Sequence, residues 1–122
     1  MINIPGTHKT PYLQFDNELG NLIIRGKSFS ENSLEFYKPL IEKIKEYKKA
    51  PCALTVIDIK LEYINSSSSK SIQDIIREFE SMKELSKIIV NWSYEVDDED
   101  MLEAGEDYQS KTCLPFNLVA IA

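Results

Sequence analysis

Residues 65–70, Asn-Ser-Ser-Ser-Ser-Lys, concentrate hydroxyls as nowhere else in this 122-residue chain. A hydroxyl run can do four kinds of chemistry. It can cap a helix by accepting from unpaired amides, or attack a carbonyl if a base takes its proton. It can hold an anion together with a helix N-terminus, or receive a phosphoryl group. Nucleophilic attack needs a base, and the only histidine, His8, lies in a Thr/Pro-rich N-terminal segment with no evident route to the tract. No G-x-S-x-G elbow is present, and Ser67 with Lys70 matches S-x-x-K by spacing alone. Capping needs one residue, Ser67 or Ser68, whereas four consecutive serines have poor helix propensity. Capping therefore leaves most of the tract unexplained.

A phosphoserine carries roughly −1.5 to −2 charge at neutral pH. The free amides and dipole of a helix N-terminus favour such a charge by ~0.3–1 kcal/mol. Lys70, four residues after Ser66, supplies a partial counter-charge. In a flat partner interface the same dianion would repel and stay poorly desolvated. One site can thus tolerate the modification internally and still lose a partner by it. Binding of a small anion or phosphate-bearing metabolite at the helix N-terminus is the alternative use of the tract.

Both uses require the tract to stand where a strand meets a helix, and the flanking patterns place it there. CALTVIDIKLEYI, residues 52–64, begins as an apolar run and then alternates, with Ile57, Ile59, Leu61 and Tyr63 on one face. After the serines, Ile72, Ile75, Ile76, Phe79, Met82 and Leu85 recur at helical period. Apolar residues on both sides exclude a flexible linker.

Upstream, PYLQFDNELGNLIIRG reads as a hairpin turning around Asp16 to Gly20. A helix follows, with Leu34, Tyr37, Leu40, Ile41, Ile44 and Tyr47 on its apolar face, Asn32 and Glu35 at capping-box spacing, and Pro39 inside. Downstream, KIIVNWSY predicts a strand with Trp92 in the core, DDEDMLEAGEDYQS a short helix and PFNLVAIA a last strand. The order β-β-α-β-α-β-α-β implies one α/β domain over residues 1–122. Its mixed, mostly parallel sheet has about five strands with right-handed crossovers and an antiparallel hairpin at one edge.

Net charge is −6, which opposes binding to nucleic acid or an anionic membrane. No run approaches the roughly 20 apolar residues of a membrane span, and MINIPGTHKT lacks signal-peptide character. A cytoplasmic location is the expectation. Cys52 and Cys113 have no companions at metal-ligand spacing, and the acidic segment 97–107 lacks the ligand and glycine spacing of an EF-hand. No metal or cofactor is expected, and that segment reads as a solvated helix face.

The strand-Asn-Ser-Ser-helix junction resembles the STAS domain of bacterial anti-sigma-factor antagonists. There a strand ends in Asp-Ser and the serine opening the helix is the phosphorylation site. More closely, IPGTHKTP (4–11), GKSFSENSLEFY (26–37), LEYINSSSSK (61–70) and CLPFNL (113–118) resemble the SiaC-type regulatory phosphoproteins. The resemblance implies a STAS-like, non-enzymatic partner-switching protein. It would be phosphorylated by a dedicated kinase and dephosphorylated by a PP2C-like phosphatase. Unmodified, it would bind and activate a diguanylate cyclase. The family's phosphosite, the Thr or Ser directly after the strand-closing Asn, falls on Ser66, with Ser67 next in line. Asn65 stands where STAS proteins usually carry Asp. Partner contacts are expected from Asn65, Ser66, Ser67, Ser68 and Lys70, together with Phe29, Glu31 and Asn32 of SFSENS, which the STAS-like topology places near the same edge.

Overall fold

The computed structural model describes residues 1–122. Its elements are β1 (Ile2–Ile4), β2 (Tyr12–Asp16), β3 (Asn21–Ser28), α1 (Ser33–Tyr47), β4 (Leu54–Ile64), α2 (Ser66–Glu80), β5 (Lys87–Glu95), α3 (Glu99–Lys111) and β6 (Phe116–Ile121). The six strands form one sheet whose spatial order is the chain order, β1 to β6. The expectation of about five strands omitted β1. Three residues are too few to show an alternating pattern, yet Ile2 and Ile4 pair antiparallel with Phe15 and Leu13.

The β2–β3 hairpin forms as its turn residues dictate. Asp16 Oδ1 accepts from the amides of Glu18 and Leu19 at 3.0 and 3.1 Å, the local bonding that makes aspartate a turn residue. Gly20 then takes φ +72°, and a Cβ there would stand 2.6 Å from the Leu54 carbonyl oxygen. Only glycine meets both demands.

From β3 onward every neighbouring pair is parallel, and each new strand is added on the same side. Right-handed crossovers repeated in one direction put all three helices on one face of the sheet. Burial follows. Leu13, Phe15, Leu22, Ile24, Ile57, Ile59, Val90 and Trp92 fill the helix-covered face. The other face carries half-exposed side chains joined across strands: Asn91 donates to Asp58 (2.9 Å), Asn117 donates to Asn91 (3.0 Å), and Lys60 pairs with Glu95 (3.3 Å).

Helix α3 closes the far side of the core. Asp98 caps it by accepting from the Met101 amide at 3.1 Å, and Glu99 and Asp100 sit favourably in its first turn. Trp92, fully buried as its pattern predicted, donates from Nε1 to the Met101 carbonyl at 2.9 Å. The helix lies so close to this indole that a Cβ on Gly105 would come within 2.5 Å of Trp92 Cδ1. Gly105 gives up helix propensity to allow that approach.

Three apolar positions differ from the periodic reading. Leu34 and Leu85 are 65% and 58% exposed. Leu34 sits in the first turn of α1, and Leu85 lies beyond α2, which ends at Glu80. Tyr63, expected on the face of Ile57, Ile59 and Leu61, is 53% exposed. The register explains it: Gly26 stands opposite Leu61, but Lys27 stands opposite Tyr63. Glu62 is therefore one residue too many, and such a bulge turns the following side chains to the opposite face.

Candidate functional site

The serine tract opens α2 at the C-terminal end of the central strand β4, the edge where open α/β sheets usually place their function. Asn65 makes the junction. Its amide donates to the Ser28 carbonyl at 3.0 Å, prolonging the ladder between β3 and β4, and its own carbonyl accepts from the Ser69 amide at 2.8 Å. Its side chain then works twice. Oδ1 accepts from the Ser68 amide at 2.8 Å, and Nδ2 donates to the Ser30 carbonyl at 3.2 Å. The cap is thus Asn65, not Ser67 or Ser68. An aspartate could make the cap but would turn a second acceptor oxygen toward the Ser30 carbonyl. That accounts for the amide here.

Helical rotation then separates the four serines. Ser66 and Ser67 are exposed. Ser68 is fully buried, its hydroxyl 2.8 Å from that of Ser33 in α1, and Ser33 also donates to the Ser30 carbonyl at 2.9 Å. Ser69 lies 2.8 Å from the Tyr108 hydroxyl of α3, which donates to the Ser69 carbonyl at 2.9 Å. Nearby, Ser28 and Tyr37 pair at 2.7 Å. Hydroxyl contacts therefore tie the first turn of α2 to both neighbouring helices, while Ser66 and Ser67 stand outside them. The expectation that Ser68 faces a partner is corrected by its burial.

Around this turn the structure gathers most of the expected residues. Phe29 is half-buried between the two carbonyls that Asn65 holds, those of Ser28 and Ser30. Glu31 and Asn32 are exposed in the loop that follows, and Lys70 is exposed one turn into α2. The capping box expected of Asn32 and Glu35 does not form. Asn32 makes no side-chain cap, and its amide instead donates to Ser30 Oγ at 3.2 Å.

Burial also acts on the phenols. Tyr108 is pushed up to about 12 from an ordinary 10.0 by burial, against the opposing bond from Ser69. Tyr37 is raised by burial as well, against its bond with Ser28. Both stay protonated in the fold where phenols of an unfolded chain ionise. The unfolded state therefore releases protons first, and stability falls as pH rises above about 10. Denaturant midpoints are expected to be flat from pH 7 to 9 and to drop progressively between pH 10 and 12. Tyr108→Phe should reduce that drop. A midpoint independent of pH to 12 would contradict the buried, hydrogen-bonded phenols.

Sequence patterns missed Ser33, Tyr108, Tyr63 and Lys27. Ser33 and Tyr108 reach the tract only through tertiary packing. Tyr63 is turned outward by a bulge that no local pattern marks, which brings it opposite Lys27, a residue that keeps the alternation of β3. On the opposite flank of the same edge, Glu62, Glu95 and the acids at 97–100 line an open cleft.

The fold agrees with what the chain resembles. The sequence profile of the SiaC family regulatory phosphoproteins matches residues 4–121. A chain in the crystal structure of diguanylate cyclase SiaD in complex with its activator SiaC from Pseudomonas aeruginosa superposes with a TM-score of 0.92. It is 29% identical, over 99% of this chain and 100% of that one. SiaC of Pseudomonas aeruginosa superposes at 0.90 with 28% identity over 98% of each chain. An uncharacterised protein of Pseudomonas aeruginosa strain UCBPP-PA14 is 29% identical over 120 residues, 98% of this chain and 95% of its own. The chain belongs to the SiaC family of regulatory phosphoproteins.

Proposed function

We propose that this protein is a phosphorylation-controlled partner switch. Unmodified, it binds and activates a diguanylate cyclase, and phosphorylation of Ser66 weakens that binding. The observation that carries the reading is the position of Ser66. Its side chain is exposed at the first helical residue, directly after the Asn65 cap, and takes no part in the hydroxyl contacts that hold the turn. A phosphate there meets free helix amides, so it can be carried without disturbing the fold. Support for the cyclase comes from the relative described as the activator of SiaD, which this chain matches over its full length.

A dedicated kinase and a PP2C-like phosphatase would write and erase the mark. The protein itself acts by binding, through one α/β domain over residues 1–122, in the cytoplasm and without cofactor. Asn65, Ser66, Ser67 and Lys70, with Phe29, Glu31 and Asn32, form the partner-facing surface. Site-localising mass spectrometry on protein from its own host, with phosphatases blocked, should find phosphate on Ser66. Its absence under every growth condition would overturn the reading.

A further inference from the structure

The bulge at Glu62 creates a surface that the sequence did not announce. Tyr63 emerges on the open face of the sheet opposite Lys27, and its ring meets that of Phe29 edge-on at 5.4 Å between centroids. Lys27, Phe29 and Tyr63 line a shallow, mainly apolar depression. Two further cationic residues lie close along the backbone. Arg25 lies two residues earlier on the same face of β3, its guanidinium 4.9 Å from the Tyr12 ring centre. Lys9 is brought alongside because its carbonyl accepts from the Phe29 amide at 3.0 Å. In a chain of net charge −6, this is an aromatic patch lined by one cation, Lys27, with two more, Arg25 and Lys9, close by along the backbone. Of the acids on this side, Glu31 lies in the next loop, Asp58 shares a neighbouring depression with Arg25, and Glu62 lines the acidic cleft.

We propose that this patch docks an acidic segment of the cyclase partner by seating one large apolar side chain of that segment in the depression that Lys27, Phe29 and Tyr63 line. The proposal rests on the partner-switch reading and adds the chemistry of what is bound. Exposed aromatics beside cations are the composition of interface anchors, and the local charge selects an acidic complement. It also gives the switch its sign. Asn65 holds the carbonyls on both sides of Phe29, and Ser66 is the next residue, so a phosphate on Ser66 adds negative charge beside a site made for negative charge. A second copy of this chain, its acidic cleft set against this patch, is the competing occupant that the test separates.

The test is titration of the purified cyclase from the same host with wild type, Tyr63→Ser, Lys27→Glu and Ser66→Asp, at low and high salt. Tyr63→Ser should weaken binding about tenfold or more. Lys27→Glu should weaken it comparably at low salt, with the difference shrinking at high salt. Both side chains are exposed, so melting temperatures should stay near wild type. If Ser66→Asp loses binding while Tyr63→Ser and Lys27→Glu bind like wild type, this docking surface is overturned and the switch stands. If wild type does not bind the cyclase, the switch reading falls and the docking surface with it. A wild-type self-association lost in Lys27→Glu, with cyclase binding unchanged, would overturn the proposal in favour of a second copy.

Discussion

Ser66→Asp is expected to lose at least about a hundredfold in affinity for the cyclase, equivalent to about 2.7 kcal/mol, while Ser66→Ala binds like wild type. The size follows from the surroundings. The hydroxyl is exposed and stands outside the contacts that hold its turn, so its removal costs the fold little. A carboxylate there remains solvated in the free protein and is stabilised by the helix N-terminus by about 0.3–1 kcal/mol. Burying it under a partner reverses the balance, because a desolvated charge without a counter-ion costs several kcal/mol. Melting temperature and binding should therefore move apart: Ser66→Asp melts at or above wild type and yet fails to bind. A variant that loses both together would point to misfolding rather than to a switch.

The same substitution two residues later should have the opposite consequence. Ser68→Asp is expected to lose about 3 kcal/mol or more, out of total stabilities that typically run to ~5–15 kcal/mol. An aspartate near a helix N-terminus is ordinarily favourable, so propensity alone predicts a mild gain. Burial decides against it. The Ser68 side chain is fully inaccessible and bonded to Ser33 at 2.8 Å, and the larger carboxylate would be forced into that contact without a cation. Ser68→Ala removes one buried hydrogen bond and should cost about 1 kcal/mol. Urea denaturation of both variants measures the contrast. Wild-type stability in Ser68→Asp would mean that the turn does not sort its serines by burial, and Ser66 would lose its geometric distinction from Ser68.

Much of this was legible in the chain because the strong signals are local. Alternation in β4, helical period in α2 and the Asp16–Gly20 turn each rest on neighbours a few residues away, and each element formed on its pattern, except that α2 stops at Glu80 before Leu85 and β4 loses its alternation at Tyr63. The strand-to-helix address of the serine tract follows from those elements. Non-local causes were not legible. Which serine faces outward depends on Ser33 and Tyr108, brought from 35 and 39 residues away. The outward turn of Tyr63 depends on a register slip against β3. The Asn65 cap was hidden for another reason: in a run of serines, the hydroxyls drew attention from the one residue able both to accept from Ser68 and to donate to Ser30.

A switch of this kind requires one phosphate at residue 66 to decide whether the partner is held. The most direct measurement is calorimetric titration of the cyclase with two homogeneous preparations, unmodified protein and protein carrying phosphoserine only at position 66. Tight binding is expected of the first, at least about a hundredfold weaker binding of the second, and full recovery after phosphatase treatment. Equal affinity of the two preparations would contradict the switch.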